Sequence, residues 1–199
     1  MAKLSVVAPM IVRNEADNLP ALFESARGLV DAWVILDTGS TDGTVEVARG
    51  LGATVIEDPW DDDFARSRNI ALAHAEEVHP DADWFIILDG DDRVENAESL
   101  RAELEAATHP VYALKVFSST PEGGVESIFQ TRLWRPSTGV RYRNPVHAAP
   151  NTDFLRDEDG NMALTYMESG CVRHLGYTTP EGRKRNAERT LRICRTKME

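Results

Sequence analysis

The sequence predicts an α/β domain with a mainly parallel central sheet flanked by helices. Predicted strands and helices alternate through the first 107 residues, and the strands are short and almost wholly apolar. Apolar strands of this kind are typical of a parallel sheet whose two faces are both covered by helices. A length of 199 residues fits one such domain.

The spacing of apolar residues, together with the polar residues and glycines that end each apolar run, predicts the strands and helices of the first half of the chain. Short apolar runs predict buried strands, and apolar side chains that recur every three or four residues predict helices. Asp37 stops the second strand, and Gly52 ends the helix that follows it. The predicted elements are, in order, a strand at 4–12, a helix at 17–29, a strand at 33–36, a helix ending at Gly52, a strand at 54–56, a helix at 63–77, a strand at 84–88 and a helix at 96–107.

The pattern changes after Pro110. Residues 112–117 and 127–134 predict strands, turns follow at Gly139 and Asn144, and the strand register of this half stays open. We therefore divide the chain into an α/β half at 1–110, a mixed half of the same domain at 111–179 and a basic C-terminal helix at 180–199.

The composition is that of an ordinary soluble globular protein, with 42% hydrophobic and 28% charged residues. No apolar run approaches the roughly 20 residues that cross a bilayer. The first residues predict a buried strand rather than a signal peptide. Cys171 and Cys194 offer neither a disulfide framework nor metal-binding spacing. We therefore expect a cytoplasmic protein without a transmembrane segment.

The formal net charge of −11 argues against stable nucleic-acid binding. The charge is unevenly spread, because residues 181–199 contain seven basic and three acidic side chains, Arg183 and Lys184 among the basic ones. A solvated helix face is one explanation of this basic excess, and a contact with an anionic ligand is the other.

Polar clusters follow three of the predicted strands. Arg13 and Glu15 come after the first strand, Asp37 after the second, and residues 89–92 after the fourth. Ligands of open parallel sheets bind outside the carboxyl ends of the strands, so these clusters should lie on one rim. A single cluster is explained by helix capping, but three on one rim favour a binding site.

The strongest signal is the segment ILDGDD. Asp89 and Asp91 are two residues apart at a strand end, so they can direct oxygens toward one hard cation, Mg²⁺ or Mn²⁺. Such an ion would neutralise the charge on a departing nucleotide diphosphate. The alternative is an acidic turn that caps the next helix, and the position directly after an apolar strand favours the metal.

One arginine and two histidines are further candidates. Arg68, in DDFARSRN, can neutralise a phosphate or pair with neighbouring acids. His147 and His174 lie in the mixed half, where either can bind the metal, accept a proton near neutral pH or serve a structural role.

Four blocks together resemble a known family. MIVRNEADNL, VILDTGSTDGT, DDFARSRN and WFIILDGDD resemble, in order and spacing, the family-2 glycosyltransferases, which have the GT-A nucleotide-diphospho-sugar transferase fold. The residues of these blocks are most similar to those of a bacterial and phage branch of the family. That branch includes enzymes fused to tetratricopeptide repeats and peptide S-glycosyltransferases. RLWRPSTGVRYRNPVH and RHLGY resemble the same branch more weakly.

The resemblance implies a metal-dependent inverting transferase that uses a nucleotide-diphosphate sugar, with a UDP-sugar favoured. Asp91 would bind Mn²⁺ or Mg²⁺, and Asp89 would face the ribose or the sugar. From the local excess of positive charge, rather than from the resemblance, we also expect Arg183 and Lys184 to close over the diphosphate. The pocket for the base and ribose would contain Glu15 and Asp37, with Pro9 and Arg13 shaping it and Arg68 near the base or the diphosphate.

The chain departs from this family at one position. Relatives often have His-Glu where this chain has His147 followed by Ala148, so the catalytic base is open. His147 is our candidate for the base or for a third metal ligand, and His174 is the alternative for either role. The same departure keeps open a non-catalytic module that binds a nucleotide sugar or a partner.

Two other enzyme classes are excluded by missing glycines. A sugar-nucleotide pyrophosphorylase needs a glycine-rich loop after the first strand, and MIVRNEADN has no glycine. A Rossmann dehydrogenase needs G-x-G-x-x-G after a strand. The sequence does not name the sugar, the base or the oligomeric state, and it leaves open whether a further C-terminal domain exists. The acceptor is equally open among peptide, protein, glycan, lipid and modified DNA base.

Overall fold

One sheet runs through both halves of the chain. The structure is a computed structural model that describes residues 3–120, 124–156, 165–176 and 180–197, without the side chains of residues 180–183 and 185. In chain order its elements are β1 (Val6–Val12), α1 (Leu19–Ser25), β2 (Ala32–Asp37), α2 (Thr44–Gly50), β3 (Thr54–Glu57), α3 (Phe64–Val78), β4 (Trp84–Ile86), β5 (Asp92–Glu95), α4 (Ala97–Glu105), β6 (Val111–Ser119), β7 (Val125–Trp134), β8 (Tyr142–Arg143), β9 (Ala149–Pro150), β10 (Thr165–His174) and α5 (Pro180–Lys197).

Within the described residues the sheet has eight strands in the order β3-β2-β1-β4-β7-β6-β10-β5. β1 is parallel to β2 and β4, β2 is parallel to β3, and β6 is parallel to β10. β7 is antiparallel to β4 and β6, and β5 is antiparallel to β10. The expected α/β class with a mainly parallel central sheet is confirmed. The short strands β8 and β9 pair separately.

Strand β1 is apolar at successive positions because helices cover both faces of the sheet. Val6 and Met10 pack in one core cluster with Leu22 of α1, whereas Val7 packs in a second cluster with Leu72 of α3. Successive side chains of a strand point to opposite faces, so each cluster receives alternate residues. Full burial of a side chain of this size contributes about 1.5–3 kcal/mol to folding.

Helix α3 begins where the sequence predicts. Asp63 is its N-cap in an extended conformation, and the Asp63 side chain accepts a hydrogen bond from the Arg66 N–H at 2.8 Å. This cap orients the first turns of α3, which carry Arg68 to the carboxyl end of β4. None of the helices in the described part of the chain is both long enough and apolar enough to cross a membrane.

The structure differs from the sequence expectation on either side of the acidic turn at 89–92. The strand expected at 84–88 ends at Ile86, and the chain then turns so that the Asp92 N–H donates to the Asp89 carbonyl at 2.9 Å. Residues 92–95 form β5, a strand that the sequence analysis did not assign, and β10 lies between β5 and β6. The site residues of both halves therefore meet on one sheet.

Candidate functional site

The carboxyl ends of β1 and β4 open into a cavity of about 1050 Å³. Arg13, Glu15 and Asp91 line its sheet side, and Arg189 and Arg192 of α5 line its other side. The three polar clusters were expected on one rim, and two of them, after β1 and after β4, line this cavity. After β2, Thr38 lines the cavity.

A second cavity, of about 840 Å³, lies between β6, β7 and the segment 147–152. Both cavities are lined by Arg68, Asp89 and His174, so they meet at these three side chains.

Asp89 is held between the buried Arg132 and the partly buried Arg68. Its Oδ1 accepts a hydrogen bond from Arg68 Nη2 at 2.6 Å, and its Oδ2 lies 3.2 Å from Arg132 Nη1. Burial alone would raise the pKa of Asp89, but the charges of Arg68 and Arg132 hold that pKa well below its usual range. Asp89 is therefore an anion whose two oxygens are already oriented.

Asp92 is fully buried and orients His174. Asp92 Oδ1 lies 2.9 Å from His174 Nδ1, and Asp92 Oδ2 accepts hydrogen bonds from the Asp89 N–H at 2.8 Å and Arg132 Nη1 at 3.3 Å. Asp91 Oδ1 lies 3.3 Å from the same His174 nitrogen. Burial opposes the charged imidazolium, but the hydrogen bond that His174 donates to Asp92, together with the charges of the neighbouring carboxylates, raises the pKa of His174 overall.

Acidic and histidine ligand atoms converge at this point. Asp89, Asp92 and His174 each offer one atom within 4.8 Å of the others, and His147 is not a member of this group in the described residues. Burial is the main cause that raises the pKa of Asp91, and the charges of Asp89 and Asp92 add to it. A cation bound here would stabilise the ionised form of Asp91.

The residues at β1 and β2 that were predicted to bind the sugar nucleotide differ in their exposure to the first cavity. Arg13 and Glu15 line it, and burial raises the pKa of Glu15. Pro9 is buried within β1, and the cavity lining begins two residues later at Ile11. Asp37 is buried, and its Oδ1 accepts hydrogen bonds from the next turn, the Gly39 N–H at 2.9 Å and the Ser40 N–H at 2.8 Å. Its buried Oδ2 has no hydrogen-bond partner among the described residues.

His147 lies on the wall of the second cavity. Its side chain is exposed, and its backbone has φ 51°, a left-handed conformation that is uncommon outside glycine. Such conformations are enriched at functional sites. Ala148, the residue that stands where relatives often have Glu, lines the same cavity.

Helix α5 contributes arginines that sequence reasoning missed. Lys184 is exposed and lies 3.9 Å from Glu188, and the side chain of Arg183 is outside the described residues. Instead, Arg189 lies over the Phe64 ring at 4.9 Å, and Arg192 pairs with Asp62 at 2.6 Å. The signal was present in the sequence, because Asn186, Arg189 and the buried Ile193 recur at helical spacing on one face.

Arg132 was also missed. It lies in IFQTRLW, an otherwise mainly apolar run of β7, and only 8% of its side chain is exposed. An ionisable residue inside such a run needs a buried partner, and this requirement was the available signal.

Comparisons with known proteins cover most of the chain. Residues 7–158 match the sequence profile of glycosyl transferase family 2. A TPR repeat-containing protein of Synechococcus elongatus is 31% identical over 196 residues, which are 96% of this chain and 47% of that protein. An uncharacterized glycosyltransferase of Rickettsia felis is 33% identical over 110 residues, which are 53% of this chain and 34% of that protein. The chain thus spans about half, or less, of the length of these relatives.

The solved structures show the same fold. S. aureus TarS in complex with UDP-GlcNAc is 16% identical, with a TM-score of 0.62 over 90% of this chain and 61% of that one. TarS in complex with UDP is 15% identical, with a TM-score of 0.60 over 97% of this chain and 66% of that one. The GT-A fold expected from the four sequence blocks is confirmed.

Proposed function

Because the chain belongs to glycosyl transferase family 2, we propose that it moves a sugar from a nucleoside diphosphate sugar to an acceptor, with a divalent ion in the site and inversion at the anomeric carbon. The observation that carries this proposal is the meeting of two cavities at Arg68, Asp89 and His174. A transferase needs separate sites for donor and acceptor that join where the sugar changes partner. We assign the cavity under α5 to the donor and the cavity beside β7 to the acceptor.

The side chains present fit a divalent ion. Asp91 Oδ2 and His174 Nε2 both border the space beside Gly176, where an added Cβ would lie 2.1 Å from the first atom and 2.9 Å from the second. We propose these two atoms as ligands and Asp92 as the partner that orients His174. Both Asp92 oxygens are already engaged, because Oδ1 pairs with His174 Nδ1 and Oδ2 accepts from the Asp89 N–H and Arg132. Mn²⁺ or Mg²⁺ bound there would neutralise charge on the leaving diphosphate.

The donor cavity has the charge and shape that a nucleoside diphosphate requires. Arg13, Arg68, Arg189 and Arg192 offer cations for the phosphates. Asp37 directly precedes Thr38, which lines this cavity, and its buried Oδ2 has no hydrogen-bond partner among the described residues, so we propose that an N–H or O–H of the base or ribose donates to it when the donor binds. TarS binds UDP and UDP-GlcNAc, which supports UDP-sugars as the first donors to test.

The transfer step would take place where the cavities join. A nucleophilic atom of the acceptor forms a bond to the anomeric carbon while the bond from that carbon to the diphosphate oxygen breaks. The electron pair leaves with the nucleoside diphosphate, and the acceptor proton passes to His147 in the acceptor cavity. Residues 111–179 would thus form the acceptor side of the domain, and Asp89 would hold the sugar or ribose with an orientation fixed by Arg68 and Arg132.

One observation favours a second candidate, a module that binds a nucleotide sugar without turnover. Ala148 lines the acceptor cavity at the position where relatives often have an acid, so His147 would be the base without such a neighbour. Slow hydrolysis of the donor distinguishes the candidates, because a transferase transfers some sugar to water and a binding module does not.

The proposal is tested by thermal shift with UDP, GDP, TDP and their sugars, each with and without Mn²⁺. A ligand at 100 times its Kd stabilises the folded state by about 2.7 kcal/mol, which corresponds to roughly 5–10 °C in a domain of this size. We expect one nucleotide to stabilise the wild type in the presence of Mn²⁺ only, and Asp91→Asn to abolish the shift. Asp81→Asn, a change at an exposed acid away from both cavities, is the matched control.

Donor hydrolysis is then followed with the stabilising sugar nucleotide. Release of sugar and nucleoside diphosphate by the wild type, but not by Asp91→Asn, supports the transferase. Binding without hydrolysis supports the module. No shift with any nucleotide, with or without metal, would contradict both candidates.

A further inference from the structure

We infer that Gly176 is a positioning residue, whose missing side chain lets the Asp91 carboxylate stay beside His174, where the two would bind the divalent ion. This inference rests on the metal-dependent function proposed above. It assigns a role to a residue that carries no ligand atom, at the point where the chain leaves β10.

The Asp91 carboxylate lies in the space that a side chain on residue 176 would occupy. A Cβ built on Gly176 would lie 2.1 Å from Asp91 Oδ2, 2.9 Å from His174 Nε2 and 3.2 Å from Asp91 Cγ. Protein side-chain carbons do not approach heavy atoms below 3.0 Å. A methyl group at this point would therefore collide with Asp91 Oδ2 and displace it.

The backbone around Gly176 is fixed against the acidic turn. The Leu175 N–H donates to the Asp91 carbonyl at 3.0 Å, and His174 pairs with Asp92 in the ladder between β10 and β5. These contacts hold residues 174 and 175, and thereby restrict the movement of Gly176 away from Asp91.

The two ligands differ in their freedom to avoid an added methyl group. His174 is held through its Nδ1 by the fully buried Asp92, so its ring stays in place. Asp91 is on the turn itself, and its carboxylate can rotate about the side-chain bonds. An alanine at 176 would therefore be accommodated by the fold, but the Asp91 oxygen would leave its position beside His174.

Backbone conformation does not explain the glycine. Gly176 is absent from the glycines with positive φ, which are Gly28, Gly39, Gly43, Gly52 and Gly139. Alanine thus meets no backbone penalty at 176, and the requirement for glycine comes from the occupied space alone.

The experiment compares Gly176→Ala with Gly50→Ala in the full 199-residue chain. Gly50 also has an ordinary φ, and no atom lies within 4 Å of its added Cβ, so Gly50→Ala is a matched control. Mn²⁺ alone is titrated into each protein, and free Mn²⁺ is followed by electron paramagnetic resonance. The melting temperature of each metal-free protein is measured in parallel.

We expect Gly176→Ala to bind Mn²⁺ at least about tenfold more weakly than the wild type, in the range found when supporting groups of a metal site are altered. Its metal-free melting temperature should stay within about 3 °C of the wild type, which corresponds to roughly 1 kcal/mol. Gly50→Ala should retain wild-type affinity. In an Asp91→Asn background, Gly176→Ala should weaken binding no further, because the oxygen it displaces is already lost as a carboxylate.

Each result has a defined reading. Wild-type affinity in Gly176→Ala would overturn the inference. A fall of more than about 10 °C in its metal-free melting temperature would also overturn it, because Gly176 would then be a packing residue. Failure of the wild type itself to bind Mn²⁺ would contradict the proposed metal site, independently of the variants.

Discussion

Replacement of Arg132 by methionine tests whether the buried charges hold the site together. Arg132 is 8% exposed, and its Nη1 lies 3.2 Å from Asp89 Oδ2, 3.3 Å from Asp92 Oδ2 and 3.1 Å from the Ile87 carbonyl oxygen. Methionine retains much of the apolar volume but removes the charge and the donors. Asp92, which is completely buried, would then lose its arginine partner.

The size of the effect follows from this burial. Removal of one partner from a buried ion pair costs about 3–5 kcal/mol, because the remaining charge stays in the interior. For domains of 150–250 residues, 1 kcal/mol corresponds to about 2–4 °C in melting temperature. We therefore expect Arg132→Met to lower the melting temperature by roughly 6–20 °C.

The assay is urea unfolding followed by circular dichroism, with a thermal scan as a second probe. Arg49→Met is the control, because Arg49 pairs with Glu57 at a similar distance of 2.9 Å but the two side chains are 55% and 61% exposed. An exposed pair of this kind contributes about 0–1 kcal/mol. If Arg132→Met and Arg49→Met destabilise the protein equally, the reasoning from burial is refuted.

Three further changes separate transfer, donor binding and stability. Asparagine tolerates the φ of 51° at position 147, so His147→Asn should keep the backbone. We expect this variant to reduce the transfer rate about 10²–10⁴-fold in an acceptor assay and to leave the thermal shift by the donor unchanged. A loss of donor binding would contradict the role of His147 as base. Arg189→Ala should raise the Kd for a nucleoside diphosphate about tenfold in calorimetry and leave the Kd for the nucleoside nearly unchanged, because Arg189 lines the donor cavity as a cation. An equal loss of affinity for both ligands would instead place Arg189 at the base. Burial opposes ionisation of Asp31, but hydrogen bonds from the Val6 N–H and Arg101 outweigh the effect of burial and hold the pKa of Asp31 below the usual range. Asp31→Asn should therefore lower the free energy of unfolding at pH 7. The loss of stability should shrink as the pH falls below about 4.

The sign of the Asp31 effect follows from linkage. As the pH falls, the unfolded chain takes up the proton first because its Asp31 pKa is higher, so the stabilisation is complete above the unfolded pKa and is lost toward the folded pKa. The measurement is the free energy of unfolding in urea at several pH values, with Asp81→Asn as an exposed control. A deficit that is constant with pH would contradict the assignment.

The first half of the fold was predictable because each of its segments carries its own signal. β1 and β2 are apolar since helices cover both faces of the sheet. Asp63 marks the start of α3 because aspartate is a common N-cap residue. β5 was missed because its sequence, DRVE, places the charged Asp92 at a buried position. The compensation for that burial comes from Arg132 and His174, 40 and 82 residues away, so no local pattern reveals it.

The candidate site divides in the same way. Asp91 and Arg68 belong to compact motifs, and they could be named from spacing at a strand end. His174 was an alternative candidate, and its place beside Asp92 depends on the pairing of β10 with β5. Arg189 depends on the path of α5 across the cavity. Sequence reasoning thus named residues of compact motifs, and it missed Arg132 and Arg189, whose positions depend on tertiary contacts.

The place of β5 in the sheet has a consequence for how the protein is made. Among the strands that the structure describes, β5 pairs with β10 only, and β6 lies on the other side of β10. Chains are synthesised from the N-terminus at about 5–20 residues per second, so the acidic turn leaves the ribosome several seconds before the strand that fixes it. Although the nascent chain already carries every acid of ILDGDD, it lacks the imidazole at 174 that completes the cluster. Under the proposed function, a nascent chain stalled before residue 174 would therefore present the acidic turn without its histidine and could not yet consume sugar nucleotide.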